Sequence, residues 1–107
     1  MLAAGEVARE ELPRNPSKYI ASGAQRDARG MLVAVLENRA PVAVRNVAFP
    51  PLRLGDSGEI LEQGRSIRMQ RGLAPGERIS VDAGVGSITP EALSRVRIRI
   101  DSAVVAP

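Results

Sequence analysis

From Met31 to Val105, apolar and polar residues alternate in short runs. Gly, Pro, Asn or Asp interrupts the alternation at intervals of roughly 8–12 residues. Met31–Leu36, Val42–Val47, Ile67–Met69, Ile79–Val81 and Val96–Ile100 read as strands, because successive side chains of a strand point to opposite faces. Short strands at that spacing predict an all-β domain, an antiparallel sandwich or a small, partly open barrel. Its expected core is Leu32, Val33, Val35, Val44, Val47, Ile79, Val81, Ile98 and Ile100.

The interruptions carry their own chemistry. Asp27-Ala-Arg-Gly30 reads as the turn into the first strand, and Asn38-Arg-Ala-Pro41 as a turn joining two strong strands. Phe49-Pro-Pro51 breaks the second strand, since proline cannot donate to a sheet ladder. Gly55-Asp-Ser-Gly58 and Gly72-Leu-Ala-Pro-Gly-Glu77 read as tight turns, and Gly84-Val-Gly86 as a loop. Thr89-Pro-Glu-Ala-Leu93 supplies an N-cap, a proline at the first helical position and a first-turn glutamate, which predicts one helical turn near 90–94. The last strand then runs toward Val105.

The first thirty residues lack this alternation. Residues 2–12 favour helix by propensity, with Leu2, Val7 and Leu12 as a thin apolar stripe that Pro13 and Asn15-Pro16 terminate. Ser17 to Gly30 is mixed and polar. The expected organisation is a helical extension and linker over 1–30 and a β-domain over 31–107.

A chain of 107 residues supports one domain. It has no tryptophan, one phenylalanine (Phe49) and one tyrosine (Tyr19), so aliphatic side chains must fill the core. The formal charge is +3, and Lys18 is the only lysine. The longest apolar runs fall short of the ~20 residues that a spanning helix needs, so no membrane insertion is expected. The N-terminal stretch lacks the basic start and apolar centre of a signal peptide.

No motif rises to a catalytic signature. Gly55-Asp-Ser-Gly58 matches the letters around the nucleophile of trypsin-like proteases, but a serine hydroxyl needs a neighbouring base, and the chain contains no histidine. A turn is the better reading. Without His and Cys the usual zinc, iron and copper ligands are missing. Asp56, Glu59 and Glu62 do not match the spacing of a calcium loop. Gly84-Val-Gly86 lacks the third glycine and following lysine of a phosphate cradle. No cofactor is implied.

Arg95, Arg97 and Arg99 are the candidate binding residues. Alternation places them together on one face of the final strand, opposite Val96, Ile98 and Ile100. With Arg65, Arg68 and Arg71 they suggest a cationic face for nucleic acid or another polyanion. Sheet readers of single strands also present stacking aromatics, which are scarce here. Asp82, Asp101, Glu59 and Glu62 offer partners for a salt-bridged, solvated face, the favoured reading.

Several stretches resemble the FxLYD family of small bacterial immunoglobulin-like sandwiches: Val33–Asn38, Val44–Phe49, Leu54-Gly-Asp-Ser-Gly58 and Leu73-Ala-Pro-Gly-Glu77. The resemblance implies an immunoglobulin-like accessory module without catalytic residues, often attached to longer envelope proteins. The helix ending at Asn15-Pro16 is similar to the tail of a tetratricopeptide-type helical region, which implies the C-terminal domain of a larger, periplasmic protein. Outside that context the expectation is cytoplasmic. The expected function is non-enzymatic: contact with a protein partner, or positioning of an adjacent domain of the same protein. Polyanion binding through Arg95, Arg97 and Arg99 is the alternative. A scaffold for an active site completed by another chain is a third possibility, for which no residue argues.

Overall fold

Ile20–Arg26 forms a strand, β1, in the stretch expected to be linker. The computed structural model describes residues 4–106, and in it β1 pairs antiparallel with β2 (Met31–Asn38) from Ile20↔Asn38 to Arg26↔Leu32. Ser22, Gly23 and Gln25 have little intrinsic strand preference; pairing with a strongly β-forming neighbour overrides it. The Asp27–Gly30 turn closes this hairpin as expected. Asp27 Oδ1 accepts from the Arg29 and Met31 amides, both at 2.9 Å, and Gly30 takes a φ of 78°.

The first layer has the order β1-β2-β7, with β7 spanning Arg78–Ser87. The second is built from three longer passes of chain, each interrupted once. β3 (Val44–Phe49) and β4 (Pro51–Leu54) form the middle pass, broken at Pro50. β5 (Ile60–Gln63) and β6 (Ile67–Arg68) flank it on one side, and β8 (Val96–Ile98) and β9 (Ser102–Val105) on the other. The resulting sheets, β6-β3-β9 and β5-β4-β8, repeat one order on either side of the proline break. This is an all-β, antiparallel, sandwich-like fold.

The expected strand over 96–100 therefore corrects to β8, a break at Arg99–Asp101, and β9 in the other half-sheet. The alternation of Val96–Ile100 is continuous, but its neighbour bends at Pro50, and the flanking pass must bend with it. Gly84-Val-Gly86 also corrects from a loop to part of β7, where the register with β2 shifts between Met31 and Val33. Gly84 and Gly86 take φ of 72° and 94°, the left-handed conformations that such a bulge favours. A second irregularity lies in β3, where Asn46 has φ 54° beside a register shift against β9.

The core lies between the layers. Ala34 and Leu36 of β2 pack with Val44, Val47 and Phe49 of β3, Ile98 of β8 and Ala103 of β9. Of the expected core, Leu32, Val35, Val44, Val47, Ile98 and Ile100 are buried, while Val33, Ile79 and Val81 are half-buried. Helix α1 (Ala4–Glu11) adds Ala8 to this core, and Leu12 follows it. Leu2 of the expected stripe lies outside the described residues. Glu11 accepts from Lys18 Nζ and from Tyr19 Oη, which ties the helix end to the start of β1. Helix α2 (Pro90–Leu93) is the expected single turn, capped by Thr89 Oγ1 accepting from the Ala92 amide at 3.1 Å.

Asn38, read as a turn residue, is fully buried. Its Nδ2 donates to the carbonyls of Val42 and Leu73 at 3.0 and 3.1 Å, and Oδ1 accepts from the Ala40 amide at 2.9 Å. Its main chain binds the 72–77 turn through Asn38 N to Glu77 O and Gly76 N to Asn38 O. One side chain thus joins the end of β2, the crossover to β3 and the turn before β7. Both polar atoms of the Asn38 side chain are hydrogen-bonded.

Candidate partner-binding surfaces

The three arginines singled out by alternation do not form a continuous row. Arg97 lies within β8 opposite Leu52; Arg95 precedes that strand and Arg99 follows it. Arg95 Nη2 meets Asp56 Oδ1 at 2.8 Å, and Arg99 Nε meets Asp101 Oδ1 at 3.2 Å. Arg97 has no ion pair among the described residues. Neighbouring arginines show the same economy: Arg53 pairs with Glu62 across β4–β5 at 3.1 Å, and Arg71 pairs with Glu77. Local carboxylates thus pair with Arg71, Arg95 and Arg99 of the six arginines singled out in the sequence, and with Arg53 beside them. Arg65 and Arg68 belong to the pass on the far side of the middle strands.

Two carboxylates, Glu77 and Glu37, are held ionised by their contacts. The Ala74 amide, then Arg71, keeps Glu77 below its ordinary range; the Arg39 guanidinium at 2.6 Å does the same for Glu37.

Gly55–Gly58 is the turn between β4 and β5. Gly58 takes φ 81° and its amide donates to Gly55 O at 3.0 Å, while the Ser57 amide donates to Glu59 Oε2 at 3.1 Å. Asp56 is spent on Arg95. Ser57 therefore sits on an exposed hairpin tip, in a chain that lacks histidine.

Beneath this hairpin lies an apolar cleft of about 230 Å³. Leu32, Leu52, Val85, Ile88 and Val96 line it, and the Arg53–Glu62 pair stands at its side. The bulge in β7 leaves Val85 54% exposed at this cleft. On β5, Ile60 and Leu61 are 52% and 54% exposed. Leu61 lines a second cleft, which shares Arg53 and Ala92 with the first. Ile60, Leu61 and Val85 are three of the four large hydrophobic residues exposed among the described residues, Val104 being the fourth.

No family model, curated protein or solved structure matches this chain.

Its surfaces are thus read from their own chemistry. Among the described residues no group of three or more acidic, His or Cys side chains is arranged to hold a metal ion. No buried side-chain polar atom there lacks a hydrogen-bond partner. The hairpin end combines exposed aliphatic side chains with paired charges. Alternation could find the arginines. It could not find the cleft, because Val85 and Ile88 stand among glycines and polar residues with no readable period.

Proposed function

We propose that this chain is a non-catalytic module that contacts a protein partner or positions an adjacent domain, and that it does so through the β4–β5 hairpin and α2. The observation that carries this reading is the exposure of Ile60, Leu61 and Val85 around the apolar cleft. Apolar surface of this kind gains free energy when covered, at about 25 cal/mol per Å² of apolar area. The pairing of a β1-β2-β7 layer with a second, bent layer supports an immunoglobulin-like reading of the sandwich, which suits an accessory role like that of FxLYD domains.

Polyanion binding draws less support. Two of its three arginines are paired with carboxylates, and the trio is split by the break after β8.

The test is photo-crosslinking from position 61 of the full chain, in cells that make it. A discrete protein adduct that disappears with Val85→Ser supports the reading. Absence of any adduct, together with salt-sensitive retention of nucleic acid that Arg97→Ser abolishes, would replace it with the polyanion reading.

A further inference from the structure

The 72–77 turn carries the chain from one layer to the other, and its two arms do not pair with each other. Residues 68–71 and 79–82 instead face each other across an open groove of about 620 Å³. Met69, Ile79 and Val81 supply its apolar lining, and Ile79 and Val81 are only half-buried there. Both arms are sheet edges: β6 pairs with β3 alone, and β7 with β2 alone.

The direction of the free backbone groups follows from the register. Asn38 N donates to Glu77 O, and the antiparallel ladder continues through Leu36↔Ile79 and Ala34↔Val81. Hydrogen bonds alternate along such a ladder, so Ile79 and Val81 direct their main chain to β2. Arg78, Ser80 and Asp82 direct theirs to the open edge. On the other arm Met69 N donates to Val47 O, which turns the main chain of Arg68 away from β3. Each arm offers unpaired amides and carbonyls to a segment lying between them.

Side chains define that segment further. A strand added at β7 has one row of side chains beside Ile79 and Val81, toward the core, and the other beside Arg78 on the outer face. The first row must be apolar. For the second, charge decides. Arg71 is spent on Glu77, and Asp82 Oδ1 turns back to the Gly84 amide at 2.7 Å. Arg68 and Arg78 are left without an ion pair among the described residues.

We propose that the groove between residues 68–71 and 79–82 accepts an extended polypeptide segment of alternating aliphatic and acidic residues, added as a strand to the β7 edge. The proposal rests on the protein-contact reading above but names a different surface, so either can fail alone.

The test uses the full chain, labelled for NMR, and the blocked peptide acetyl-Glu-Val-Glu-Val-Glu-Val-amide. Saturable shifts are expected at Arg68, Gln70, Arg78, Ser80 and Asp82, with slowed amide exchange at Arg78, Ser80 and Asp82. Ser80→Pro removes an edge donor that no described residue uses, so it should keep the melting temperature and abolish binding. Arg68→Glu should weaken binding about tenfold or more. A peptide with Lys in place of Glu, or with a central proline, should bind at least about tenfold more weakly. No saturable binding at about millimolar peptide overturns the proposal, as does equal binding of the proline peptide or undiminished binding to folded Ser80→Pro. Shifts confined to Leu61, Val85 and the cleft beneath the hairpin also overturn it, while leaving the contact reading in place.

Discussion

The Asn38 side-chain amide donates to the Leu73 carbonyl at 3.1 Å, across 35 residues of sequence and from one layer of the sandwich to the turn that leads out of the other. Leu73 is itself buried and forms a bridge with Val44. The strand end, the crossover and the turn therefore share one polar centre buried from solvent.

Asn38→Leu should consequently be severe. It strands the Val42 carbonyl and the Ala40 amide, while the Leu73 carbonyl keeps the Val44 amide as its donor; each stranded group costs about 1–3 kcal/mol in a buried site. A total loss of about 2 kcal/mol or more is expected by chemical denaturation. Asn38→Asp should also destabilise at neutral pH, since a carboxylate has no donor for those two carbonyls. It should recover part of the loss as pH falls and the carboxyl protonates. Wild-type-like stability in either variant would show that the junction relaxes.

Helix α1 belongs to the packed structure through Leu12 and Ala8. Leu12→Ala should destabilise the whole domain by about 2–4 kcal/mol in a single cooperative transition. Loss of helix signal ahead of the main unfolding transition would show instead that the helix packs independently.

Acid should loosen the turns before the core. The Met31 amide, then the Arg29 amide, holds the Asp27 carboxyl below its ordinary 3.8; the Ala74 amide, then Arg71, holds Glu77 below 4.5. Their folded-state values are depressed, so the stability they contribute is present above the ordinary values and lost as pH falls through the folded ones. Melting temperature should be level above about pH 5 and decline below about pH 4. Asp27→Asn keeps an oxygen acceptor but does not titrate, so it should flatten part of that decline. An unchanged acid limb in this variant would remove Asp27 from the account.

Arg95→Ala and Asp56→Ala break an exposed pair and should each move the melting temperature by no more than about 3 °C. A larger shift in either variant would show that the pair fastens the hairpin tip to the base of β8.

At Asn46, the left-handed φ of 54° suits asparagine and resists β-branched side chains. Asn46→Val should cost about 1–3 kcal/mol, and Asn46→Gly should be near neutral. Equal stability of the two variants would show that the bulge straightens without cost.

Local chemistry was legible in the sequence wherever the structure is locally determined. Asp27, Gly58, Gly76 and Thr89 occupy turns and a cap whose geometry those residues favour by themselves. Non-local demands were not. Ser22 and Gly23 become strand because β2 needs an edge partner, and Val96–Ile100 is cut because Pro50 bends the neighbouring pass. Asn38 looked like turn grammar because burial of its amide depends on Leu73, far along the chain. The arginines could be placed at the surface, but their carboxylate partners lie on other elements, as with Asp56 in the hairpin tip. The open groove was hidden for the same reason, since its two arms are ordinary strand ends until the turn between them is seen to hold them apart.

The two tight turns have opposite standing in the chain. The tip at Asp56, Ser57 and Gly58 is exposed and bonded chiefly to its own hairpin, whereas the 72–77 turn is fastened to Asn38, Val44 and Arg71. A peptide tag or a new pair of chain ends should be tolerated between Asp56 and Gly58, and a cut at 74–76 should dissolve the join between the layers. The molecule is held shut from the middle of its sequence, at a loop.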